Sequence, residues 1–302
     1  MAKAILTTKV DPTYDDLPEQ RYHFPRTYLR AVQAARRDWI IYYEPRRSSG
    51  DLSSRGGRQS YFATARIAEI VDDGTRPGHF YALIDSYLDF ARPVPFAEGG
   101  HYYESALRRD DGDTNKGAFG RAVRQLPDLE YDAILRSGFA TIVSVDTSPE
   151  DGQQITPAGF EEPVAEFERP LVERVVTRLF RDAAFSGAIK AAYHDTCAFT
   201  GLKIVNGGGR SEVQAAHVRP VASAGPDSLR NGIALCGTFH WMFDRGLISI
   251  ADDRQLLLAK GRVPDSVGRL LNPDRVLLAP TRADQAPHPL FLRWHRENVF
   301  KG

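Results

Sequence analysis

The stretch from Cys197 to Leu247 constrains this chain more tightly than any other part of it. It holds four motifs in order: Cys197-Ala-Phe-Thr-Gly201, Gln214-Ala-Ala-His-Val-Arg-Pro220, Leu229-Arg-Asn-Gly-Ile-Ala-Leu-Cys236 and Phe239-His-Trp-Met-Phe-Asp-Arg-Gly246. His217 follows a short apolar run of the kind that forms a strand. Asn231 comes 14 residues later, in a loop or helix start, and His240 comes 23 residues after His217. Asp244 lies four residues beyond His240, and that step on a helix puts both side chains on one face. Gly207-Gly-Gly209 reads as a flexible turn. The expectation is a folded hairpin followed by a helix.

These residue types in this order suit phosphodiester hydrolysis. Water is a poor nucleophile, so a neutral imidazole must take its proton. The transition state gains negative charge beside the scissile phosphate, and a divalent cation there stabilises it. Imidazole nitrogen with carboxylate oxygen suits a first-row metal, and oxygen ligands suit Mg²⁺. An asparagine can pin the loop so that base and metal face one phosphate.

Taken together, the four motifs resemble the HNH nuclease family, the ββα-metal fold. The likeness is to its restriction-type branch, with a Cys-x-x-Thr-Gly opening, an Ala-His strand and a Leu-Cys-x-x-x-His helix. It spans roughly residues 165–300 and takes in the tail from Pro289 to Phe300. The resemblance implies that His217 is the general base, that Asn231 orients the loop and that His240 is a metal ligand. It makes Asp244 the second ligand, the alternative being a salt bridge to Arg245. Arg219 and Arg245 are expected on the phosphate backbone, with a salt bridge as the other reading of Arg219. The cofactor implied is a divalent metal, Mg²⁺ or Mn²⁺, with Ni²⁺ and Co²⁺ as alternatives.

Two features depart from the family pattern. Ala216 stands where many members carry a metal-binding Asp or His. The two Cys-x-x-Cys pairs common in the family are each reduced to one cysteine, Cys197 and Cys236, with Thr200 and Phe239 at the partner positions. No structural zinc is expected, and the two cysteines should lie close together, buried and reduced.

A length of 302 residues suits two domains, expected at 1–145 and 166–302 with a linker at 146–165. At 42% hydrophobic and 26% charged residues the chain is globular rather than disordered. Lys+Arg and Asp+Glu balance at 39 each, so net charge says nothing about nucleic acid. Between Arg26 and Arg58, however, eight arginines face only Asp38, Glu44 and Asp51, which is either a local basic surface for phosphates or an ordinary solvated face.

In the first region, residues 38–43, 61–70 and 79–85 read as strands, residues 46–59 as a long loop and residues 117–126 as a short helix. Phe167, Leu171, Val175, Leu179, Phe180, Phe185, Ile189 and Tyr193 predict helix across residues 164–193. Residues 20–110 resemble PUA-superfamily domains of the EVE or ASCH kind, small β-barrels that read modified bases. That likeness nominates Trp39, Tyr43 and Tyr61 for a pocket stacking a flipped base. For most of the region's aromatics a core position is the expectation. Asp85 or Asp89 is either a base-edge acceptor or a surface group.

The fold class expected is α+β: an N-terminal PUA-like β-barrel with helices, then a ββα-metal nuclease domain with flanking helices. The function expected is a modification-dependent restriction endonuclease acting on double-stranded DNA near modified cytosines. A homodimer is expected for double-strand breaks. The alternatives are a nuclease that recognises unmodified DNA or RNA, and a nucleic-acid reader whose nuclease module has decayed. Two cysteines make no disulfide framework. No signal peptide or membrane-length apolar run is visible. A cytoplasmic protein without a membrane partner is expected.

Overall fold

The computed structural model describes residues 2–8, 15–46, 57–140 and 177–302. The linker expected at 146–165, most of the 46–59 loop and the first part of the helix expected from Val164 lie outside the described residues. The first half contains β1 (Lys3–Thr7), β2 (Arg21–Pro25), α1 (Leu29–Ala34), β3 (Trp39–Glu44), β4 (Ser60–Asp72), β5 (His79–Pro95), β6 (Ala97–Glu98), β7 (His101–Tyr102), α2 (Lys116–Phe119), β8 (Val123–Leu126) and α3 (Asp128–Gly138). Six strands form one sheet in the order β2-β5-β4-β3-β1-β8, curled as a half-barrel with β2 and β8 at its edges. β1 runs parallel to β3, and the other neighbours are antiparallel.

Both faces of this sheet are covered, which explains why β3 reads as an unbroken apolar run rather than an alternating one. Ile40 and Tyr42 point to one buried cluster with Leu6, Phe24 and Val32, while Ile41 and Tyr43 point to another with Ile5, Tyr61 and Tyr131 of α3. The helix expected at residues 117–126 is corrected. Only α2 is helical, and residues 123–126 form edge strand β8 against β1. Gly117 and Gly120 weaken a helix there, and pairing with β1 buries Val123 and Leu126.

The second half contains α4 (Arg178–Ala192), β9 (Gln214–His217), β10 (Gly232–Leu235), α5 (Gly237–Asp244), β11 (Ile248–Ile250), β12 (Leu256–Leu258), α6 (Asp265–Gly268) and α7 (Pro289–Asn298). β9 and β10 pair antiparallel, His217 opposite Gly232, and α5 follows directly. Its own core gathers Phe199, Ala216, Ile233, Phe239, Phe243 and Phe291. α5 ends in a Schellman turn: Gly246 has φ +71°, Gly246 N–H donates to Phe243 and Leu247 N–H to Met242.

α4 belongs to both halves. Phe180 and Ala184 pack into the sheet-side cluster, with the Phe180 ring edge-on to Phe139 at 5.2 Å. Phe185 and Ile189, one position further round, pack into the second core. Polar contacts add to the joint. Arg230 and Ser228 meet the buried carboxylate of Glu19, and the Leu229 N–H donates to Asp89. Among the described residues no helix is long and apolar enough to cross a membrane.

Candidate active site

β9 carries Ala215 and His217 to one wall of a cavity of about 700 Å³, and α5 carries His240 and Asp244 to another. Arg178 and Lys190 of α4 also line it. The His217 ring lies flat on Phe185, centroids 3.8 Å apart and planes within 11°. Gly232 makes that approach possible. A Cβ there would meet Ile189 Cδ1 at 2.3 Å and Phe185 Cζ at 2.8 Å, so a larger residue would force these two side chains to move.

His217 Nε2 lies 2.9 Å from Asp227 Oδ1. Burial pushes the Asp227 carboxyl up, but the His217 hydrogen bond and the Arg181 guanidinium outweigh it and hold it below the usual carboxylate range. The carboxylate is therefore ionised at neutral pH, and Nε2–H donates to it. In the neutral ring, that tautomer leaves Nδ1 as the acceptor. Asp227 was missed in reading the sequence. Its only signal there is a position in the loop four residues before Asn231.

Asn231 does not line the cavity; it is fully buried behind it. Its amide donates to the carbonyls of Arg219 and Pro226, and its Oδ1 accepts the Arg219 N–H. Three hydrogen bonds from one side chain tie the loop after β9 to the start of β10. Removing them would leave buried carbonyls unpaired at about 1–3 kcal/mol each.

His240 Nδ1 lies 2.7 Å from Gln214 Oε1, and its Nε2 lies 3.5 Å from Asp244 Oδ2. Gln214 is a second residue without an assigned role in the sequence reading. Its carbonyl takes the Nδ1 proton and leaves the Nε2 lone pair beside the carboxylate. One nitrogen and one carboxylate thus stand ready on one helix face, a donor set that fits a divalent cation completed by water and phosphate oxygens. Among the described residues no group of three or more His, Cys, Asp or Glu side chains is placed to hold a metal. Ala216 is fully buried in the core, so a carboxylate at that position would sit among apolar side chains.

The remaining candidates lie elsewhere. Arg219 donates through Nε to the Ser223 carbonyl, and its guanidinium stands 5.4 Å from the Trp294 ring centre. Arg245 is exposed on the outer face of α5, over the ring of exposed Trp241. Cys197 and Cys236 are free thiols with sulfurs 3.7 Å apart.

In the first half the residues expected at a base pocket are placed as follows. Tyr43 and Tyr61 are fully buried core side chains. The Tyr61 hydroxyl donates to Glu104 at 2.6 Å, and Arg124 forks onto the same carboxylate. A pocket using these rings would require opening that core, because the sheet is covered on both faces. Trp39 is half-buried at the edge of the same cluster. Asp85 is forked by Arg66, and Asp89 is taken up by Tyr87 and the Leu229 N–H.

Residues 197–251 match the family model of the HNH endonucleases. The HNH resemblance is borne out, and this stretch is an HNH endonuclease domain. No curated protein matches the chain. Similar solved structures include a modification-dependent TagI restriction endonuclease, at 13% identity and TM-score 0.32 over 97% of this chain and 81% of that one. The N-terminal domain of Staphylothermus marinus McrB is similar at 12% identity and TM-score 0.29, over 44% of this chain and 92% of that one. The type IV phosphorothioation-dependent restriction endonuclease ScoMcrA is similar at 17% identity and TM-score 0.20, over 79% and 46%.

Proposed function

We propose that the chain is a metal-dependent, modification-dependent restriction endonuclease, in which a domain at 1–145 reads modified cytosine and a domain at 166–302 cuts DNA. The observation that carries the nuclease reading is the shared cavity. His217, with Nε2 on Asp227, and the His240–Asp244 pair line the same space of about 700 Å³. The reader half of the proposal is supported by the PUA-like sequence pattern, with Trp39 as the remaining half-buried aromatic of the three nominated.

In this reading His217 takes a proton from water through Nδ1, and the oxygen attacks phosphorus. The opposite P–O bond breaks, and the leaving oxygen takes a proton from solvent. Asp227 steadies the imidazolium that forms, as the aspartate does behind the histidine of a Ser-His-Asp triad. Asn231 keeps the loop and strand in register, so that His217 and α5 address one phosphate. His240 and Asp244 would hold the divalent cation, Mg²⁺, Mn²⁺, Ni²⁺ or Co²⁺, whose positive charge neutralises the charge that develops on the phosphate. Arg178 and Lys190 line the entrance to the phosphate, and Arg219 and Arg245 extend the contact along the backbone, so binding weakens as salt rises. One such site cuts one strand, and a homodimer supplies the second cut.

The test is digestion of otherwise identical plasmids carrying cytosine, methylcytosine, hydroxymethylcytosine or glucosylated hydroxymethylcytosine, across Mg²⁺, Mn²⁺, Co²⁺ and Ni²⁺. Cutting confined to a modified substrate is expected. Equal cutting of all four would discard the reader, and no cutting in any metal would discard the nuclease.

A further inference from the structure

The catalytic histidine is not held by its own domain alone. Asp227, whose side chain is 3% exposed, gives Oδ1 to His217 and Oδ2 to Arg181 Nε at 2.7 Å. The other arms of Arg181 donate to two consecutive carbonyls of β5, Ser86 at 3.0 Å and Tyr87 at 2.7 Å. β5 bulges at these residues. Asp85 pairs with Arg66 and Leu88 with Thr64, so two residues of β5 stand against one of β4. Ser86 takes a left-handed backbone, φ +52°, which costs a non-glycine residue about 1 kcal/mol or more. Just beyond the bulge, Leu88 bridges Asp227, and Asp89 accepts the Leu229 N–H.

We infer that Arg181 and Asp227 are positioning residues that carry the bulge of the N-terminal sheet to the His217 ring. This rests on the reading of His217 as the base. The bulge aims two carbonyls at α4; the planar fork of Arg181 spans them and the carboxylate together; the carboxylate sets the tautomer and tilt of the imidazole against Phe185. An ammonium group has no such fixed fork. The N-terminal domain is therefore a structural part of the cutting site, and a movement of β5 on binding DNA reaches the base through three hydrogen bonds.

Other charged groups surround the dyad. Arg178, Asp182 and Lys190 approach from α4, and His240 and Asp244 from α5; His295 of α7 also lines the cavity but is held neutral by burial. Arg178 lies 3.8 Å from Asp227. Charge changes at Asp227 and at Arg181 act on the His217 ring with opposite sign, whereas general loosening of the fold does not.

The experiment uses the full chain and reads His217 by ¹H–¹⁵N correlation of its ring nitrogens through a pH titration, its signals assigned by their loss in H217A. D227N is expected to move the His217 titration to lower pH and R181Q to move it to higher pH. R181K should leave it near the wild-type position while the ring signals broaden. On the best-cut plasmid of the digestion series, D227N and R181Q are each expected to lower kcat about 10- to 100-fold, the loss typical of an outer-shell partner, with KM little changed. Wild-type titrations in both variants, or shifts in one direction, would overturn the inference. If R181Q does not fold, D227N and R181K decide by themselves. The NMR readout needs no cutting, so a wild type that cleaves nothing overturns the proposed function and leaves the relay to be judged on the titrations.

Discussion

Two histidines in the second half of the molecule lie flat on a phenylalanine at the same distance. His217 sits on Phe185 and His295 on Phe243, each with ring centroids 3.8 Å apart. Their surroundings differ. His295 is 2% exposed, with Nδ1 at Ser249 and Nε2 at the Phe243 carbonyl, so both nitrogens are used up. Burial drives its pKa down to about 4, against the backbone hydrogen bond, and it stays neutral. His217 keeps a side chain 16% exposed, with Nε2 on a carboxylate. The same stack is a building block in one place and, in the proposed mechanism, a base in the other, and the partner of the second nitrogen makes the difference. His240 is a third variation, with Gln214 on one nitrogen and Asp244 beside the other.

The comparison breaks most sharply at His217. H217A should cut DNA about 10³-fold more slowly, within the range for loss of a general base, while its melting temperature stays near that of the wild type. Plasmid nicking and calorimetry check both halves; unchanged nicking would make the two stacks equivalent. H295A should do the reverse, costing about 3 kcal/mol of stability because it leaves a cavity and two unpaired groups. Urea denaturation measures this. Next in size is Q214A, in which His240 loses the partner that sets its tautomer. Titration calorimetry with Mn²⁺ should show affinity about tenfold weaker; no change would mean that His240 is no ligand.

The last comparison is the pH dependence of stability. His288 and His295 are both pushed down to about 4 by burial, from an ordinary value near 6.5. Above that ordinary value neither form binds the proton, so their stabilisation is fully present. As pH falls through the window toward 4, the unfolded chain takes up protons that the folded chain refuses, and stability is lost. Asp16, raised to about 6 by burial, acts with the opposite sign in the same window. The useful quantity is therefore the stability difference between wild type and H295A, which should shrink steadily between about pH 6.5 and 4. A difference independent of pH would show that His295 titrates like an exposed histidine.

Local spacing made part of the site legible. A four-residue step was enough to pair His240 with Asp244, and an apolar run ending in a turn was enough to put His217 on a strand. β3, β4 and the start of β5 were readable from β-branched and aromatic runs. Illegible features depended on distant partners. Arg181 finds Asp227 46 residues away and Tyr87 94 residues away. Residues 123–126 became a strand only because β1 was there to pair with. Tyr43 and Tyr61 look alike as pocket walls or core, and the closing of α3 and α4 over the sheet made them core.

The sequence by itself determined the chemical inventory: two imidazoles, an asparagine and a carboxylate at intervals that a strand pair and a helix bring to one place. Only the tertiary structure decided which nitrogen of each imidazole is engaged, that Asp227 and Gln214 engage them, and that α4 joins the cutting domain to the sheet. The physical reason is range. Backbone periodicity is written in neighbouring residues, whereas tautomer, burial and ion pairing are properties of groups that meet only after the chain has closed on itself.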